Sequence, residues 1–257
     1  MVLPGNEKVT LKVSDAVVDT TSVPGKTLYK FTAHVAVRQM AEDITVKVMQ
    51  GNQQIGKTIT YSVRKYADEI LKDTEGKYTA QQKDFVLAML YHGAAMQVYK
   101  DHYTEHLATE NLNVDALNRA SAAITLADLE GYKASVTGNV AGLKLHGANL
   151  SLMDETTLRF FFTTEEGHPA SSYTFAVNGK SATAMVNDDF ICVEVSGIAA
   201  SRLDDMVKLT VNGDALTVDY APLSYVRSVI GKGKADALDQ VARSLYLYNA
   251  AANQLTK

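Results

Sequence analysis

Met40-Ala41-Glu42-Asp43-Ile44-Thr45-Val46-Lys47-Val48 is matched later in the chain by Leu203-Asp204-Asp205-Met206-Val207-Lys208-Leu209-Thr210-Val211. Each stretch ends in alternating apolar residues: Ile44, Val46 and Val48 in the first, Val207, Leu209 and Val211 in the second. Side chains of a strand point to opposite faces in turn, so period two marks a half-buried antiparallel strand. Two more blocks keep the same order. Tyr61-Ser62-Val63-Arg64-Lys65-Tyr66 matches Tyr220-Ala221-Pro222-Leu223-Ser224-Tyr225, and Leu90-Tyr91-His92-Gly93-Ala94-Ala95-Met96-Gln97 matches Leu247-Tyr248-Asn249-Ala250-Ala251-Ala252-Asn253-Gln254. Ordered internal matches are the signature of a duplicated structural unit.

In the first half, Val9, Leu11 and Val13 alternate, as do Tyr29, Phe31, Ala33, Val35 and Val37, and again Ile59, Tyr61 and Val63. Pro24-Gly25 and Gln50-Gly51-Asn52 punctuate them as turns. The period then lengthens. A short helix is expected over 66–71 and a long one over 80–100, the latter opened by a capping box of Thr79 with Gln82. Ala88, Tyr91, Ala95 and Val98 share one face of the long helix.

The second half repeats the plan. Strands are expected around Leu150 and Leu152, Leu158–Phe162, Tyr173–Val177, Ile191–Val195, Val207–Val211 and Leu216–Tyr220, with Asn178-Gly179 and Asn212-Gly213 as hairpin turns. Pro222 suits a first helical position. The closing helix carries Leu238, Val241, Leu245, Tyr248, Ala252 and Leu255 at spacings of three and four. The alanine-rich stretch between the halves has a short helix signal, Thr125 with Asp128. The expected organisation is a first unit over 1–110, a connector over 111–138 and a second unit over 139–257. Helices must cover a sheet face, because neither buries its apolar side alone. The fold class is therefore α+β: two related units, each an antiparallel β-sheet or sandwich followed by a helix pair.

Composition narrows the function classes. The 257 residues are 46% hydrophobic and 21% charged, with a net charge of −4. Nothing in that balance is built to neutralise phosphates, so nucleic acid is a poor partner. The apolar runs are far shorter than a membrane span, and Met1-Val2-Leu3-Pro4-Gly5 has no signal-peptide pattern. Cys192, the single cysteine, rules out an internal disulfide or a thiolate cluster and reads as a small buried hydrophobe within Phe190-Ile191-Cys192-Val193.

Three stretches carry a resemblance. Tyr61-Ser62-Val63-Arg64-Lys65-Tyr66-Ala67-Asp68-Glu69-Ile70-Leu71 resembles "TYSVRDYADYIL". Leu87-Ala88-Met89-Leu90-Tyr91-His92-Gly93-Ala94-Ala95-Met96-Gln97 resembles "VKAMLNYGAAAQ". Leu223-Ser224-Tyr225-Val226 with Leu245-Tyr246-Leu247-Tyr248-Asn249-Ala250-Ala251-Ala252 resembles "PLSYV…ALYLYNQAA". With Gly147–Leu152 and Thr157–Phe162, the likeness covers nearly the whole chain. It is to a module of large secreted, multidomain surface proteins of anaerobic gut Firmicutes. The resemblance implies an extracellular, non-catalytic module beside adhesion or glycan-processing domains. Its ligands would be host proteins, immunoglobulin among them, or polysaccharide. Such units normally open with a "GASL…" strand pair before the segment matching Lys8–Val13. That pair has no counterpart here, which implies a fragment of a longer chain and an available strand edge.

The residues themselves point to no catalyst. His102-Tyr103-Thr104-Glu105-His106 fits H-x-x-E-H, in which two His on one helix face ligate zinc and Glu acts as base. The match falls at a helix end, where chance is the better account. Gly231-Lys232-Gly233-Lys234 lacks Walker spacing and reads as a loop. No G-x-S-x-G elbow exists, and Ser196-Gly197 simply closes a strand. Arg159, inside an apolar strand, reads as a structural ion pair before an anion site. Tyr66 with Tyr225, and Tyr91 with Tyr248, occupy equivalent positions and read as packing residues.

Ligand candidates are the unduplicated residues Tyr99, His102, Tyr103 and His106 after the long helix, with Tyr132 and Tyr173. The expectation is a binding or adhesion module, not an enzyme, with no metal or cofactor. Its partner is a host or other protein. A carbohydrate-binding module and a structural spacer are the alternatives, and the absence of Trp leaves a flat glycan platform without support.

Overall fold

The computed structural model describes residues 1–4, 7–100, 106–152, 155–187 and 190–255. The chain is α+β. It opens with two separate hairpins, β1 (Val17–Asp19) with β2 (Leu28–Lys30), and β3 (Ile44–Gln50) with β4 (Gln53–Tyr61). Helices α1 (Val63–Leu71) and α2 (Ala80–Tyr99) follow, then α3 (Asp115–Ala123). The strands β5 (Ser135–Gly138), β6 (Leu143–Leu152), β7 (Thr156–Thr164), β8 (Phe175–Val177), β9 (Lys180–Ala182), β10 (Ala184–Val186), β11 (Ile191–Val195), β12 (Val207–Val211) and β13 (Leu216–Tyr220) come next. The chain closes with α4 (Pro222–Ile230) and α5 (Ala237–Leu255).

The duplication is visible bond by bond. Ile44 pairs with Tyr61, Val46 with Ile59 and Val48 with Ile55. The second unit repeats these rungs as Val207 with Tyr220, Leu209 with Val218 and Val211 with Leu216. A single 3₁₀ turn precedes each hairpin, Val37–Gln39 and Ala200–Arg202. Arg64 N–H donates to the Met40 carbonyl at 2.8 Å, and Leu223 N–H to that of Leu203 at 3.0 Å. The helices start as their sequences require. Ser62 caps α1, Thr79 and Gln82 form the capping box of α2, and Pro222 sits at the first position of α4.

Unit two is a complete sandwich. One antiparallel sheet runs β10-β11-β7-β6 and the other β5-β13-β12-β8-β9. Alternate residues of both meet between them: Leu158, Phe160 and Phe162 of β7 and Val193 of β11 against Phe175, Val207, Leu209, Val211, Leu216 and Val218. Phe162 lies 5.5 Å from Phe175, centroid to centroid, and Phe160 meets Tyr220 edge-on at 6.0 Å. The Asn178-Gly179 turn has φ of 50° and 77°, the double positive φ of a tight hairpin. β5, from the expected connector, forms an edge strand of this sandwich by pairing with β13.

The helices join the units. Phe85, early in α2, stacks on Tyr248, late in α5, at 5.3 Å, so the two helices run antiparallel. His92 stacks on the same tyrosine at 6.0 Å, and its Nδ1 lies 2.9 Å from Ser244 Oγ.

Two expected strands differ. Residues 9–13 hold no strand and lead into a 3₁₀ turn at Val13–Asp15. Of the alternation from Tyr29 to Val37, only Leu28–Lys30 is extended in a ladder. Alternation makes a strand only where a neighbour supplies the ladder, and none of the described residues does so beyond Lys30.

Candidate functional site

The strands of unit one carry the same alternation as β12 and β13, but beyond the half-buried Ile44, Thr45 and Val46 their residues are exposed. In unit two, Leu209 is 0% and Val218 is 1% exposed beneath the second sheet. Their neighbours on the equivalent face of unit one are open: Val48 is 54%, Ile55 49% and Ile59 57% exposed, with Tyr61 at its margin. Every residue of β4 is exposed. Contiguous exposed apolar surface on a folded chain marks an interaction site.

Local sequence holds this hairpin in shape. Gly51, with φ of 57°, turns the chain between β3 and β4. A bulge lies between the Val46 and Val48 rungs, and the Gln54 amide donates across it to the Gly56 carbonyl and Thr58 Oγ1, both at 3.1 Å. Tyr61 donates its hydroxyl to Glu69 of α1 at 2.7 Å, which ties the hairpin to the helix. That bond pushes the phenol pKa up to about 12. Lys47 and Lys57 are the charged residues between Ile44 and Tyr61, so the hairpin is cationic.

The outer edge of β3 is paired at one rung. Val2 N–H donates to the Thr45 carbonyl at 2.7 Å, and Thr45 N–H returns a bond to Val2 at 2.9 Å. Farther along, among the described residues, no segment pairs with the outward backbone groups of Lys47 and Met49.

The candidates chosen from sequence are scattered. Tyr99 ends α2 in a cleft of about 230 Å³ between the units, with Tyr225, Leu150, Leu238 and Arg159; Lys100 Nζ sits 5.0 Å from its ring centroid. His102 and Tyr103 lie outside the described residues, so the H-x-x-E-H stretch is described only at His106. The His106 ring is exposed, 3.6 Å from Glu110, and its carbonyl accepts from Gln97 Nε2 at 3.1 Å. Tyr132 is half-buried against the α4–α5 core, and that burial raises its phenol pKa. Tyr173 belongs to the sandwich core and donates its hydroxyl to the Ala141 carbonyl at 3.1 Å, leaving it no face for a ligand. Tyr99, His106, Tyr132 and Tyr173 thus do not converge.

Arg159 pairs with Glu194 across the β7–β11 ladder, a structural pair. Cys192 is buried, and burial raises its thiol pKa. Gly231 and Gly233 form the α4–α5 turn. Among the retained tyrosines, Tyr248 packs between Phe85 and His92 and Tyr91 bonds Asn118, whereas Tyr66 is exposed and does not pack as expected. Among the described residues no three His, Cys, Asp or Glu side chains are grouped to hold a metal, and no helix is long and apolar enough to cross a membrane.

Val48, Ile55 and Ile59 were legible in the sequence as strand positions but not as a surface. Their alternation equals that of buried Leu209 and Val218, so the period itself carries no sign of exposure. No family model, curated protein or solved structure matches the chain.

Proposed function

We propose that this chain is a non-catalytic binding module of a bacterial cell-surface protein that contacts a partner protein through the β3–β4 face of unit one. A host protein such as immunoglobulin is the partner class in view. The observation that carries this is the contrast between duplicates: the apolar ladder that is buried in unit two is half-buried at Val46 and open at Val48, Ile55 and Ile59 in unit one. Protein interfaces centre on such apolar clusters, rimmed by polar groups. Lys47, Lys57 and the Lys65–Asp43 pair supply that rim here.

The test immobilises the chain and a variant with Ile55→Ser and Ile59→Ser, then offers purified immunoglobulin, serum albumin, mucin and starch separately. Retention of a protein by the parent chain and its loss in the variant support the proposal. Equal retention by both moves the contact elsewhere. Retention of mucin or starch alone replaces the protein partner with a glycan, and no retention of any of them leaves a spacer.

A further inference from the structure

We infer that a polar pocket where α2, α3 and α5 meet takes one neutral sugar ring, the terminal residue of a glycan. The pocket measures about 380 Å³, inside the range of about 300–1,000 Å³ common to small-ligand sites. Tyr91 of α2, Asn118 and Ser121 of α3, and Asp239, Gln240 and Arg243 of α5 line it. It shares no residue with the β3–β4 face and does not depend on the partner proposed there.

The charges of the pocket cancel. Arg243 Nε donates to Asp239 Oδ2, one turn away on α5, at 2.7 Å. Arg243 Nη1 donates to the carbonyls of Ser121 and Ile124, both at 2.9 Å. A guanidinium carries five N–H groups, so the two on Nη2 remain, without a hydrogen-bond partner among the described residues. Three bonds hold the plane of the group, and its last two donors are fixed in place. An anion in the pocket meets the Asp239 carboxylate and a cation meets Arg243. A neutral ligand is therefore favoured.

The uncharged side chains offer both halves of a hydrogen bond. The Tyr91 hydroxyl donates to Asn118 Oδ1 at 3.0 Å, which leaves the Asn118 amide hydrogens to donate. Gln240, exposed on α5, adds an acceptor and two donors. Ser121 is 2% exposed, and its Oγ is buried with no partner among the described residues. A buried hydroxyl left unpaired is costly, and in a pocket wall it marks a place for a ligand's polar group. Sugar hydroxyls donate and accept at once and set several such groups around one small ring. Ala122, Ala235 and the Tyr91 ring supply apolar wall for its C–H edges. A pocket of this kind grips a ring from its edge and needs no flat Trp platform.

The duplicate sharpens the role of Tyr91. Its equivalent, Tyr248, is enclosed between Phe85 and His92 in the joint of the units. Tyr91 instead turns its hydroxyl to Asn118 and borders the pocket.

The probes are free glucose, galactose, N-acetylglucosamine and N-acetylgalactosamine, with glucuronic acid as the charged control. Each is titrated into the full chain and read by saturation-transfer difference NMR. At least one neutral sugar should give a saturable signal. Joint replacement of two exposed residues, Asn118→Ala with Gln240→Ala, should weaken binding about tenfold or more, from two lost hydrogen bonds. Ser121→Ala should weaken it about fivefold without lowering the melting temperature, because the hydroxyl it removes is unpaired in the free chain. The Ile55→Ser, Ile59→Ser variant should bind the sugar as the parent does.

Silence from every neutral sugar overturns the inference, as does equal binding by the Asn118→Ala, Gln240→Ala variant. Tighter binding of glucuronic acid than of any neutral sugar overturns it in favour of an anion site. Loss of sugar binding in the Ile55→Ser, Ile59→Ser variant overturns it by moving the glycan to the β3–β4 face. Loss of protein retention in that variant, with sugar binding intact, supports both readings as separate sites.

Discussion

His92 makes the joint between the units sensitive to acid. The residue is 2% exposed on α2, facing α5. Ser244 Oγ already donates to the Val241 carbonyl at 2.9 Å, so it accepts from His92 Nδ1–H. Nε2 is then a bare acceptor, buried and without a partner among the described residues. Burial alone lowers the imidazole pKa from 6.5 to about 4, because a charge there would lose its water. At 1.36 kcal/mol per unit, that displacement corresponds to roughly 3 kcal/mol between the two protonation states. Between pH 6.5 and 4 the unfolded chain takes up a proton that the folded chain refuses. Stability therefore falls as pH falls through this window, by roughly 2 kcal/mol at pH 5 from this group.

The perturbation is His92→Asn, which installs the residue of the equivalent position, Asn249. Urea unfolding of both proteins at pH 7.5 and pH 5 gives the test. The parent should lose roughly 2 kcal/mol more than the variant over that interval, or about 4–8 °C in melting temperature. Comparing the two differences cancels every group they share. Equal losses in parent and variant would refute the buried neutral imidazole.

Two further outcomes check the asymmetry of the duplicates and a backbone constraint. Leu209→Ala empties the sandwich core and should cost about 2–5 kcal/mol in chemical denaturation, whereas Ile59→Ala should stay within about 0.5 kcal/mol; comparable losses would mean that the free chain covers its β3–β4 face. Gly138→Ala should cost about 1–3 kcal/mol, because φ is +77° and a Cβ there would lie 2.2 Å from the Ala215 carbonyl oxygen; a melting temperature unchanged from the parent would contradict that geometry.

Sequence is sufficient where one short stretch contains the whole cause. The Thr79–Gln82 capping box, the Asn178-Gly179 turn and Pro222 at the start of α4 each involve neighbours in sequence. It is insufficient where the cause lies elsewhere in the chain. Alternation over Phe31, Ala33, Val35 and Val37 needed a ladder partner and has none among the described residues. Tyr173 has no duplicate, yet the sandwich core encloses it and the Ala141 carbonyl accepts from its hydroxyl.

The sequence by itself determined the period of each segment, its caps and turns, and the α+β plan of two related units, because backbone geometry dictates which side chains share a face. Only the tertiary structure decided which apolar faces are buried. Val46, Val48, Ile55 and Ile59 repeat the pattern of Leu209, Val211, Leu216 and Val218 in the same ladder. Periodicity names the apolar side of a strand. What lies against that side depends on a second sheet assembled from distant residues, and that sheet is present over unit two and absent, among the described residues, over unit one.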